Sequence, residues 1–355
     1  MPATIIAAPP APQTTDVASL RREFPGARGY LAACTAGLPP LATRDAVRTD
    51  LDARPDPARY SLAVESSRAS AARLLGAEPG RVAIASQTSV TVGMIAVSLP
   101  IGAEVLCAEG DFSSLVLPFV HSGRDLRVRF APLAELADAV RPTTALVAFS
   151  LVQSACGEVA DPVAIAAAAR AVGARTLCDA TQAAGWMPVD GSLFDAVVCH
   201  AYKWLCAPRG VAFLAVSAEF GEALRPIHAG WYAGDDPWAS CYGGDAVLAS
   251  DARRFDVSPA WQAFVGADPA LRLFADADMP AVERETTRLA DRFRAERGLR
   301  GTGAIVSWPD PDGDDLTRLS RAGIAASGRR GRTRVAFHVF NDDDDVDDAV
   351  RALTA

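Results

Sequence analysis

The chain has 355 residues, half of them apolar and 22% charged, with 35 basic against 43 acidic side chains and a formal net charge of −8. That length is ample for one large or two moderate domains with a buried core. The acidic balance argues against a nucleic-acid or anionic-membrane binder, and the one basic run (Arg329, Arg330, Arg332, Arg334) is short.

From the N-terminus, residues 1–15 are rich in Ala, Pro and Thr and are expected to be disordered. No charge precedes Asp16, so no signal peptide is expected and the chain reads as cytoplasmic. No apolar run reaches the roughly 20 residues of a membrane-spanning helix. The best, 91–106, is interrupted by Pro100 and Gly102. Short buried strands are predicted at 81–85, 104–108, 127–130, 145–150, 176–179, 196–199 and 211–216. Ala-rich helical stretches separate several of them, such as 162–172 behind the cap Asp161. This alternation predicts an α/β fold with a mostly parallel sheet covered by helices, and ligands at the carboxyl ends of its strands.

The pattern changes near residue 265. Residues 268–297 read as one long amphipathic helix or two joined ones. A strand at 304–308, a turn at 309–315, a helix at 316–322 and a strand at 333–340 follow. Asn341 is expected to cap a last helix with an acidic first turn at 342–345. The expected division is a large domain over 16–265, whose first residues can pack on the other unit, and a small C-terminal α/β domain over 266–355. The seven cysteines (34, 107, 156, 178, 199, 206, 241) are odd in number and lack CxxC spacing. They read as free, mostly buried thiols in a reducing compartment, with no metal site and no disulfide framework.

The basic side chains comprise 34 arginines and one lysine, Lys203. A guanidinium stays protonated, whereas a lysine amine can act as a nucleophile and form a Schiff base. Lys203 stands 24 residues after Asp179, one strand further along the sheet. A carboxylate and a lone lysine on neighbouring strand ends suit pyridoxal 5'-phosphate (PLP): the lysine bonds its aldehyde carbon and the carboxylate partners its pyridinium nitrogen. Ser86-Gln87-Thr88-Ser89, between a strand and an apolar helix, can hold the phosphate. Taken singly, Asp179 reads equally as a helix cap, and the Ser/Thr cluster more readily so.

Together these motifs resemble the class V aminotransferase and cysteine desulfurase-like group of fold-type I PLP-dependent enzymes. The stretches carrying the likeness are Asp179-Ala-Thr-Gln182 and His200-Ala-Tyr-Lys203-Trp-Leu-Cys-Ala-Pro208-Arg-Gly210. The resemblance implies a mostly parallel seven-stranded central sheet and a homodimer with interface active sites. It places Lys203 as the Schiff-base lysine, Asp179 at the pyridine nitrogen, and Gln182 and Gln153 beside the ring. Phe112 would stack on the ring, and Thr88, Ser89 and His200 would hold the phosphate. Arg334 would bind the substrate carboxylate, with Ala36 and His228 on the substrate side. The Gly- and aromatic-rich stretch 231–244 is the candidate for reaching the second subunit. Departures are the turn Cys206-Ala207-Pro208, where the group usually has glycine, and the lack of any cysteine after Cys241. A persulfide-forming desulfurase is therefore not expected. The expected activity is attack at Cα/Cβ of an amino acid or S-substituted cysteine, foremost C–S β-elimination. Transamination is the alternative, then racemisation. A degenerate fold that only binds a partner would be colourless and take up no PLP.

Overall fold

The structure is a computed structural model describing residues 14–354. The stretch expected to be disordered falls almost wholly outside those residues. Its last member, Thr15, already bridges Ala277.

Seven strands build the main sheet: β1 (Val82–Ala85), β2 (Glu104–Ala108), β3 (Arg127–Ala131), β4 (Thr144–Ser150), β5 (Arg175–Asp179), β6 (Ala196–His200) and β7 (Ala212–Val216). Their order across the sheet is β1-β7-β6-β5-β4-β2-β3. The pairs from β3 to β6 are parallel. β7 runs antiparallel to both β6 and β1. Alternate residues feed two cores, as a two-sided sheet requires. Leu106, Val147 and Phe149 face one; Val105, Leu146 and Ala148 face the other. The expectation of burial fails for β3. It is an edge strand in which only Ala131 is buried, and Phe130 is 48% exposed.

A second, three-stranded sheet contains β8 (Ile305–Pro309), β9 (Ser327–Arg329) and β10 (Arg332–Ala336), ordered β8-β10-β9 and antiparallel. The strand expected to run to 340 stops at Ala336. Beyond it the chain turns, with the Asn341 side-chain oxygen accepting from the His338 N–H. The final helix, Asp343–Thr354, is capped by Asp342, which accepts from the N–H groups of Asp344 and Asp345. Asn341, expected in that role, instead donates to the Tyr30 carbonyl and Asp345.

The segment 268–297 is two helices, Trp261–Ala275 and Met279–Arg297, separated by a turn where Asp278 caps the second. Residue 265 lies inside the first of these. Phe264, Ala267, Leu271 and Phe274 of that helix belong to the same core as the main sheet. A separate core of Leu31, Leu289, Phe293, Trp308, Val335 and Val346 holds the second sheet and the last helices together. The segment near Tyr30 crosses to it, bridging Ala325 from Tyr30 and Ala336 from Ala32.

Candidate active site

The carboxyl ends of β4, β5 and β6 and the start of the helix Thr88–Ser98 meet at one cavity of about 120 Å3. Asp179, Gln182, His200, Lys203, Thr88 and Phe112 all line it. β5 and β6 are paired neighbours, so the Asp179 and Lys203 positions emerge side by side. Lys203 is 5% exposed, and its Nζ sits 5.2 Å from the Phe112 ring centre and 5.7 Å from that of Tyr202. Burial pushes its amine down to about 8, against the attraction of Asp179, and Arg334 adds a smaller push the same way. An amine near 8 has a substantial neutral fraction near physiological pH, which a nucleophile or base needs.

Asp179 closes its own turn, accepting from the Thr181 N–H at 2.9 Å. Burial pushes its carboxyl up, opposed by Thr181 and Lys203. The Thr181 hydroxyl in turn accepts from the His200 N–H at 3.0 Å, tying the β5 turn to the end of β6. The His200 ring is pushed down to about 4, first by burial and then by Arg209 and Lys203, so it is neutral. Its Nε2 is buried with no protein partner among the described residues. The neighbouring helix starts at Thr88 behind Gln87, which supplies no side-chain cap, so the cap reading of the Ser/Thr cluster does not hold. The opening N–H groups are free to meet an anion. Ser89 is half-buried and does not line the cavity.

The Gln182 amide is engaged within the protein. Its Nε2 donates to the Cys34 carbonyl and the Ser154 hydroxyl, and its Oε1 accepts from the Trp204 indole. Gln153 is buried with an unpartnered Nε2. It is its neighbour Ser154 that lines the cavity. Arg334, on the middle strand β10, is 1% exposed. Its guanidinium donates to the Ser327 and Thr35 hydroxyls at 3.1 Å each and to Ser154. No carboxylate pairs with it among the described residues. Ala36 lines an adjoining cleft that shares Tyr202 and Arg209 with the cavity. His228 does not join the site within this chain: it is exposed and lines neither space.

Sequence reasoning missed Asp111, Ser154, Thr181, Tyr202 and Arg209. Asp111 accepts from the Ser150 N–H at 2.8 Å, the Ser150 hydroxyl at 2.5 Å and the Phe112 N–H at 2.7 Å, so it ties the end of β2 to the end of β4 and aims Phe112. Burial pushes its carboxyl up to about 6. Its place just before the predicted stacking ring was the available signal. Gly37 is required by close approach. A Cβ there would lie 2.0 Å from the Lys203 carbonyl oxygen, and the Gly37 N–H donates to the Tyr202 carbonyl.

The residues present fit PLP: a buried amine, a buried carboxylate on the next strand, and a helix start without a side-chain cap beside an imidazole nitrogen with no partner among the described residues. On this sheet they define a fold-type I PLP-dependent enzyme. The chain belongs to the class V aminotransferase family, whose model matches residues 57–305. It is 26% identical over 320 residues to an uncharacterised aminotransferase of Bacillus subtilis, covering 82% of this chain and 83% of that one. It is 27% identical over 336 residues to isopenicillin N epimerase of Streptomyces clavuligerus, covering 81% and 84%. Among solved structures, the cysteine desulfurase CsdA of Escherichia coli superposes with a TM-score of 0.83 at 20% identity, covering 96% of this chain and 98% of that one. The cystine C–S lyase C-DES, in complex with its product cysteine persulfide, gives 0.80 at 20% identity, covering 93% and 98%. These two likenesses speak to the fold. Among the described residues no cluster of three metal-ligating side chains occurs, and no helix is long and apolar enough to cross a membrane.

Proposed function

We propose that the chain is a C–S lyase, acting on an S-substituted cysteine by β-elimination without forming a persulfide on the enzyme. The observation that carries amino-acid chemistry is Arg334. A buried guanidinium facing only neutral oxygens is costly. A carboxylate on the ligand offsets that cost, and the planar fork fixes its orientation. When bound, PLP supplies an electron sink that makes a proton at Cα removable. Asp179 would hold a proton at the pyridine nitrogen, and a carboxylate made more basic by burial suits that task. Thr88, the free N–H groups behind it and His200 would hold the phosphate. Lys203 moves the proton at Cα, with its amine tuned close to working pH. Phe112 and Tyr202 flank that amine.

Three thiols at the strand ends and the turn around Lys203 support a reaction without an enzyme persulfide, while Cys156 is exposed. Cys178, Cys199 and Cys206 are buried, and burial pushes each of them further into the unreactive thiol form. The β9–β10 hairpin carries serine and arginine, not cysteine. Transamination is the second reading, favoured by the family model, and epimerisation is favoured by the Streptomyces relative. We read the active form as a homodimer in which the loop 231–244, with Trp238 and Tyr242 exposed, meets the second copy. The test is a panel of amino acids and S-substituted cysteines given to the PLP-loaded protein. Release of pyruvate and thiol is expected. Amino transfer to a keto acid, or inversion at Cα, without thiol release overturns the lyase reading.

A further inference from the structure

Thr88, the helix start and His200, the groups that would hold the phosphate, include no cation. A phosphate monoester approaches two negative charges near neutral pH. Thr88 and the helix start offer neutral donors, and His200 is uncharged. Lys203 is needed at the other end of the cofactor. The topology supplies what is missing. Because β7 is inserted between β1 and β6, Ala212 pairs with Ala85 on one side and His200 on the other. Three residues upstream of Ala212, Arg209 enters the corner formed by the strand end before Gln87 and Thr88 and by the strand ending at His200. It lines the same cavity as those three residues. Its guanidinium carbon lies 4.8 Å from the Tyr202 ring centre, a stacking that holds the long side chain in place. No carboxylate lies within ion-pair distance of it among the described residues. His200, 7% exposed with an unpartnered Nε2 in the same cavity, is an independent sign that an anionic acceptor belongs there.

We propose that Arg209 is the charge partner of the cofactor phosphate and the residue that sets selectivity for PLP over phosphate-free pyridoxal, with the Tyr202 ring as its platform. The proposal rests on PLP binding, not on which bond of the substrate breaks. A charge-assisted contact of this kind is worth about tenfold to a hundredfold in binding.

The test uses apo-protein prepared from the holoenzyme, titrated by absorbance with PLP and with pyridoxal, for wild type, Arg209→Gln and Arg209→Lys. For Arg209→Gln, the expected result is a PLP dissociation constant raised about tenfold to a hundredfold with the pyridoxal constant unchanged. Arg209→Lys should recover part of the loss. The 31P resonance of bound PLP should titrate at higher pH in Arg209→Gln than in wild type, because the dianion has lost its cation. Unchanged constants for both ligands overturn the proposal. So does an equal loss for both, or an intact PLP constant joined to a raised KM for the amino acid, which would assign Arg209 to the substrate. A wild type that binds neither ligand would instead overturn the PLP reading itself, an outcome separate from these.

Discussion

The amine of Lys203 is a stability defect, and its size follows from its surroundings. Moving a lysine from its ordinary 10.5 to about 8 means that, at pH 7, folding must carry a charge the interior disfavours. By linkage this costs about 3 kcal/mol, with the opposing attraction of Asp179 already included. The sign is fixed by the proton count. Between pH 8 and 10.5 the unfolded chain holds a proton on this lysine that the native chain does not, so wild-type stability rises with pH across that window. Lys203→Met keeps the length and removes the ionisation. The apo form of this variant should be more stable than apo wild type by about 3 kcal/mol at pH 7, and the gain should fade towards zero as pH approaches 10.5. Urea denaturation of both apo-proteins at several pH values reads it directly. Equal stability at pH 7, or a gain that stays constant up to pH 10, would refute the reasoning that burial depresses this amine.

Arg334→Lys keeps the charge but loses the fork, and should lower kcat/KM for the amino-acid substrate by about tenfold to a hundredfold. An amine lacking the carboxylate should show no such change, and equal losses for both compounds would count against a carboxylate site. Gly37→Ala places a carbon 2.0 Å from the Lys203 carbonyl, so the lysine must shift. The variant should bind PLP weakly by absorbance, and full retention of colour and activity would show that the loop yields instead. Asp256→Ala should leave PLP chemistry intact but destabilise the fold by about 3–5 kcal/mol in denaturant. It strands the buried Arg68, whose Nη2 lies 2.7 Å from Asp256, and the Ile84 N–H at 2.8 Å. A midpoint close to wild type would mean that water or Glu65 takes over.

The main sheet was legible because its strands are short apolar runs buried on both faces, and the lone Lys203 stood out against 34 arginines. The same two-sided burial hides strand direction. Nothing in 212–216 distinguishes the antiparallel β7 from its parallel neighbours. The break between the helices at 276–278 did leave a sign, Asp278 followed by Pro280, which the continuous amphipathic pattern masked. Asn341 and Asp342 are both good cap residues, and tertiary bonds to Tyr30 and His338 decided between them. Asp111, Thr181 and Ser154 act through partners remote in the chain or through backbone N–H groups, which residue type alone does not reveal. Arg209 was lost among the arginines that make Lys203 conspicuous.

The antiparallel insertion of β7 also has a consequence for how the chain is made. In the main sheet β1 has one neighbour, β7, so the strand that leads into the helix Thr88–Ser98 has no strand partner until residues 212–216 have left the ribosome. The parallel strands from β2 to β6 can assemble first, each beside a strand already present or soon to follow. The long loop that β1 must close then carries an entropic cost that local pairings do not. Nascent chains arrested before residue 211 should therefore hold a partly built sheet with an open cofactor corner, and competence for PLP should arise late in synthesis.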